Sequence, residues 1–102
     1  MDSQIVRSGA GRFALTGPLT FATARRVYEL GVRAFAAEEG KSLALDCSGV
    51  SAGDSAGLAV LLQWAGWAQR HQRSLDFLRV PAAIEAMARI SDVEDLLLRA
   101  AA

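Results

Sequence analysis

The chain has 102 residues, the length of one small domain, and its 52% hydrophobic and 22% charged composition argues against disorder. Eleven Lys and Arg balance eleven Asp and Glu, and the arginines are scattered, so no charged field points to nucleic acid or to an anionic membrane surface. One cysteine, Cys47, and one histidine, His71, exclude an internal disulfide and a structural zinc site.

Gln4 to Val6 and Arg12 to Thr16 read as short strands separated by Ser8-Gly9-Ala10-Gly11, a small, glycine-rich turn, and are expected to pair antiparallel. Pro18 should end the second strand and Thr20 should cap a first helix, with apolar Ala24, Val27, Tyr28, Leu30, Ala34 and Phe35 at helical spacing and a stop before Gly40. Ser42 to Cys47 reads as a central strand, apolar on both sides. Small residues then form an exit loop, SGVSAGD, that leads into a second helix from Ser55 to about His71. Its stripe of Leu58, Leu61, Leu62, Ala65 and Ala68 should face the sheet. Ser74 to Val80 is the next strand, Pro81 suits the first turn of a helix over 82–90, and Ser91-Asp92-Val93-Glu94 has the spacing of a capping box for a last helix. The expected order is ββαβαβαα: an α/β fold of about four strands in a mixed sheet, with about four helices packed mainly on one face.

The amino terminus, MDSQIVRSG, lacks the basic start and apolar stretch of an export signal, and the longest apolar run, Ala56 to Ala68, is broken by Gln63. A membrane-spanning helix needs roughly 20 apolar residues, so no direct membrane insertion is expected and a reducing cytoplasm fits. Gly9-Ala10-Gly11-Arg12-Phe13-Ala14 matches the spacing of a dinucleotide-binding turn, but that motif must open a helix, and a strand follows here. The chain has no phosphate-binding G-x-x-x-x-G-K-[ST], and neither cofactor nor metal is expected.

A hydrolase would require Ser55 as nucleophile, His71 as base and Asp46 or Asp54 as the orienting acid. Ser55 and His71 stand at opposite ends of one helix, over about 20 Å apart at about 1.5 Å per residue, and a base must lie within hydrogen-bond reach. Catalytic residues are therefore not expected, and Asp46 and Asp54 read as turn and cap residues. Cys47 reads as a small core residue. Opposite the leucine stripe, at about 100° per residue, lie Val60, Trp67 and His71, with Trp64 at the border. Trp67 is expected to be at least partly exposed and to serve as a partner contact.

Leu45-Asp46-Cys47-Ser48-Gly49-Val50 followed by Asp54-Ser55-Ala56-Gly57-Leu58 resembles the signature of the STAS domain, found in anti-sigma factor antagonists and related bacterial modules. Leu15-Thr16-Gly17-Pro18-Leu19 is similar to the segment before that family's first helix, and the resemblance extends over nearly the whole chain, as a single STAS domain over residues 1–102. It implies that Ser55 occupies the phosphorylatable or partner-contacting position. Within the family, Val80-Pro81-Ala82-Ala83, Met87-Ala88-Arg89-Ile90 and Val93-Glu94-Asp95-Leu96-Leu97 look most like the STAS subunit of the Mla phospholipid-transport ABC system.

That branch implies a non-catalytic cytoplasmic accessory subunit. It would bind and support the transporter's ATPase, be peripheral to the inner membrane through the complex, and help maintain outer-membrane lipid asymmetry. The alternative branch implies an anti-sigma factor antagonist, switched by phosphorylation of Ser55, with a serine kinase as partner. Gly53 before Asp54 and Ala56 after Ser55 depart from the antagonist pattern. Under either branch the expected partner-binding residues are Asp54, Ser55, Ala56, Gly57, Val60, Trp64 and Trp67.

Overall fold

The computed structural model describes residues 2–99, in the element order expected: β1 (Gln4–Gly9), β2 (Arg12–Leu19), α1 (Ala24–Ala36), β3 (Ser42–Gly53), α2 (Ser55–Arg70), β4 (Ser74–Leu78), α3 (Ala82–Ile90) and α4 (Glu94–Arg99). The strands form one mixed sheet in the order β1-β2-β3-β4. The first two pair antiparallel, with Val6 opposite Ala14, and β2, β3 and β4 run parallel. The glycine-rich segment after β1 is a hairpin turn, as expected. Gly11 sits there at φ 68°, and a β-carbon on it would lie 2.5 Å from the Ser42 carbonyl oxygen.

Alternation divides the sheet into two unlike faces. Phe13 and Leu15 of β2, Leu43, Leu45 and Cys47 of β3, and Leu75 of β4 point into the core beneath the helices. The residues between them, Arg12, Ala14, Thr16, Ala44, Asp46 and Asp76, point away from it. Burial pushes the Cys47 thiol up to about 12, with the nearby Asp46 charge acting in the same direction, which fits the core role.

Several boundaries differ from the sequence expectation: β1 runs on to Gly9, β4 stops at Leu78 instead of Val80, and three further departures bear on the site. Pro18 does not end β2: the strand continues to Leu19, because the glycine- and serine-rich segment after Cys47 is not a loop but the second half of β3. Thr16 pairs there with Gly49 and Leu19 with Gly53, with two register shifts that absorb extra β3 residues. Helix α1 begins at Ala24 with Thr23 at its N-cap position, and Thr23 Oγ1 accepts from the Thr20 amide while donating to the Pro18 carbonyl. Ser91 does not open α4; it is the C-cap of α3. Asp92 follows at φ 58°, its amide bonded to the Arg89 carbonyl and that of Val93 to Ala88, a Schellman ending. Helix α2 ends the same way, through His71, Gln72 and Arg73.

Helix α2 is the spine of the core. Leu58, Leu61, Ala65 and Ala68 are buried as the stripe requires, but so are Val60, Trp64 and Trp67. Trp67 is only 6% exposed, so the expectation that it and Val60 lie on a free surface is corrected. One face of the helix meets the sheet and a second meets α1, whose Phe35 ring stands 5.6 Å from that of Trp64 and 6.0 Å from that of Trp67. At about 100° per residue the buried positions cover about half of the circumference, wider than the stripe of about 100° that faces a single core surface.

Candidate partner-docking site

The amino end of α2 sits where β3 ends and where the segment between β2 and α1 passes. Asp54, in extended backbone, is the N-cap: its Oδ1 accepts from the Gly57 amide at 3.1 Å. Its Oδ2 accepts from the Phe21 amide at 3.0 Å. These bonds, the one from Phe21 foremost, hold the carboxyl below the usual aspartate range. One side chain therefore fastens the β2–α1 segment to the start of α2. Ser55 follows as the first helical residue and is exposed; the cap role belongs to Asp54.

Gly57 is buried, and a β-carbon on it would lie 2.3 Å from the Leu19 carbonyl oxygen, so this glycine lets α2 close onto the end of β2. Its contribution to any docking surface is to set the height of the helix start.

Between the outer faces of α1 and α2 lies an open groove of about 630 Å³. Ala56 and Ala59 of α2 and Ala24 and Tyr28 of α1 form its walls, Val60 its floor, and Phe21 its lip. Phe21 is 85% exposed although aromatic, and its backbone is held by Asp54. Sequence reasoning missed it because Phe21 reads as the opening apolar residue of a helix that in fact starts three residues later. Of the seven partner-contact residues expected, Asp54, Ser55 and Ala56 are together at this rim. Val60, though buried, is the groove floor, while Gly57, Trp64 and Trp67 lie behind it, in the packing that supports it.

The acid–base constellation considered for a hydrolase is not assembled. Ser55 and His71 stand at opposite ends of α2, and His71 Nδ1 lies 2.8 Å from the Trp67 carbonyl oxygen with its ring stacked on the Trp67 indole. Asp46 is engaged on the outer face of the sheet. Its Oδ1 accepts from Arg79 Nε at 3.1 Å and from the Ser48 amide at 2.9 Å, and its Oδ2 accepts from a terminal nitrogen of Arg79 at 2.7 Å. The fork of Arg79 holds this carboxyl well below its ordinary value. No helix among the described residues is long and apolar enough to cross a membrane.

A family model described as Mlab, STAS domain matches residues 5–99. Among solved structures the chain is similar to the anti-sigma factor antagonist SpoIIAA in its unphosphorylated form, at 11% identity and a TM-score of 0.70, over 93% of this chain and 84% of that one. It is similar, at 20% identity and a TM-score of 0.70, to the murine Slc26a9 anion transporter in the inward-facing state, over 94% of this chain but only 16% of the transporter. A sulfate transporter family protein from Wolinella succinogenes matches at 20% identity and a TM-score of 0.66, over 92% of this chain and 75% of that one. No curated protein matches in sequence. At such identities the structural likenesses establish the fold, and the family rests on the model that covers nearly all of the sequence: the chain belongs to the STAS-domain family, in the branch described as Mlab, STAS domain.

Proposed function

We propose that this chain is a non-catalytic accessory subunit that binds and supports the ATPase of an Mla-type phospholipid-transport ABC transporter, acting in the cytoplasm and peripheral to the inner membrane through that complex. The observation that carries the reading is the rim at the amino end of α2. An 85% exposed Phe21 is anchored by Asp54 at the mouth of a groove walled by Ala56, Ala59 and Tyr28. A soluble domain gains nothing in stability from an aromatic side chain held in water, whereas aromatic anchors dominate partner interfaces. The small residues beside it let a partner's backbone approach closely. The family description, which names Mlab, supports the choice of an ABC ATPase as the partner.

A second reading, an anti-sigma factor antagonist regulated by phosphorylation of Ser55 through a serine kinase, draws support from the likeness to SpoIIAA and from the exposure of Ser55. A phosphate on Ser55 would meet the favourable end of the α2 dipole but also the fixed charge of Asp54.

The test is direct binding of the purified chain to the ATPase subunit of an Mla-type transporter and, separately, to an anti-sigma factor kinase with ATP. Saturable binding to the first without phosphate transfer in the second is expected. Phosphorylation at Ser55 together with no ATPase binding would replace the first reading by the second.

A further inference from the structure

Among the described residues the helices cover one face of the sheet and leave the other bare, and three of its four strands are parallel. All-parallel sheets occur almost only with both faces covered, and this mixed sheet, with its antiparallel β1–β2 pair, keeps one face open. The bare face is small and mixed in character. In one cross-strand row stand Val6, Ala14, Asp46 and Leu78, and in the next stand Arg12, Ala44 and Asp76. Val6 is 53% exposed. Neither Arg12 nor Asp76 is in an ion pair among the described residues.

The distribution across the sheet is self-complementary. The cation Arg12 lies on the β1–β2 side and the anion Asp76 on the β4 side of the same row, while the exposed Val6 and the apolar Leu78 stand at opposite ends of the other. A two-fold axis parallel to the strands, between β2 and β3, sets β1 over β4 and β2 over β3 of a second copy. That operation puts Val6 against Leu78 of the second copy and brings Arg12 beside its Asp76. The strands are about 4.8 Å apart and packed sheets about 10 Å apart, distances that an arginine and an aspartate together span. Ala14 then faces Asp46 of the second copy, and its small side chain leaves room for the Asp46–Arg79 ion pair, which enters the interface already satisfied.

We propose that the bare sheet face binds a second copy of this chain, forming an isologous two-fold dimer centred on Ala14 and Ala44. This surface is on the opposite side of the domain from the α1–α2 groove, so the dimer and the docking reading stand or fall separately. The face measures about 19 Å by 17 Å, or about 320 Å², less than half of the about 800 Å² per partner of a standard interface. The dimer is therefore weak, with a dissociation constant between about 10 µM and 1 mM.

Sedimentation equilibrium of the full chain across that concentration range tests the proposal. A monomer–dimer equilibrium is expected, abolished by Ala44→Arg. Arg12→Asp, at an exposed position, and Asp76→Arg, at a half-buried one, should each raise the dissociation constant about tenfold, and the chain carrying both should return to within about threefold of wild type, because the reversed pair meets again across the axis. The paired reversal keeps the test valid even if Ala44→Arg fails to fold. A wild-type chain that stays monomeric to about 1 mM overturns the proposal. So does a dimer indifferent to Ala44→Arg, or a double reversal no better than the singles.

Discussion

Trp64 packs onto Gly31 so closely that a β-carbon on the glycine would stand 2.4 Å from the indole Cε2 and Cζ2 atoms. The indole Nε1 donates to the Tyr28 carbonyl at 3.1 Å, so the same contact satisfies the ring's polar atom while it is fully buried. Helices α1 and α2 meet at this point, and the groove proposed for docking is the outer side of the same seam. Gly31→Ala should therefore cost about 1–3 kcal/mol by overpacking, read as a shift of the urea midpoint with unchanged slope. Gly40→Ala, where the new methyl meets nothing within 4 Å, should be neutral or slightly stabilising and serves as the control.

Trp67 gives the second expected outcome. It is a core residue edged by Phe35, stacked on His71 at 4.4 Å and overlain by the Arg73 guanidinium at 5.7 Å. The same Arg73 donates to the carbonyls of Phe35 and Glu38 at the end of α1. Trp67→Ala should thus cost about 3–5 kcal/mol in chemical denaturation. A shift below about 1 kcal/mol would return Trp67 to the surface role that the helical wheel suggests.

Phe21 should behave in the opposite way. Phe21→Ala is expected to leave the thermal midpoint within a degree or two of wild type, while weakening ATPase binding about thirtyfold, the size of an interface hot spot. Ser55→Asp should also fold normally, since a negative charge suits the first turn of α2, and should weaken binding by placing a second charge beside Asp54. Calorimetric titration and thermal melts of the same preparations separate the two effects. Unchanged affinity in both variants would remove the groove rim from the interface.

Asp54, Asp46 and Glu38 are expected to make the fold sensitive to acid. Glu38 is held below its ordinary value chiefly by its bond from Arg7, with the Gly11 amide at 2.9 Å on its other oxygen. Asp54 is lowered by the Phe21 and Gly57 amides, and Asp46 by Arg79. In each case the folded-state pKa lies below the unfolded one. The stability they contribute is therefore present above about pH 4, the range of the unfolded carboxylates, and is lost as the pH falls through the folded values. Asp54→Asn keeps an N-cap oxygen, so its midpoint at pH 7 should fall little, while the drop between pH 7 and pH 3 should be smaller than in wild type. Thermal midpoints measured every half unit of pH check this, and an acid limb identical to wild type would mean that Asp54 is not one of the groups that titrate on unfolding.

The order of elements, the antiparallel hairpin, the parallel crossovers and the Asp54-Ser55 start of α2, where the candidate site is proposed, were legible in the sequence, because each rests on local chemistry. Turn glycines, a two-residue alternation, a helical leucine stripe and the Asp54-Ser55 step all act within a few positions of one another. What only the tertiary structure decided depends on neighbours far along the chain. Ser48 to Gly53 is strand because β2 lies beside it to receive its hydrogen bonds, whereas its own small residues carry no strand signal. Trp67 is buried because α1 supplies a second wall to α2, and a helical wheel drawn for one buried face cannot count walls. Phe21 is exposed because Asp54, 33 positions away, holds the backbone in a non-helical approach to α1. The bare sheet face follows from all helices packing on the side where Leu43, Leu45 and Leu75 point, a choice made by the whole core at once.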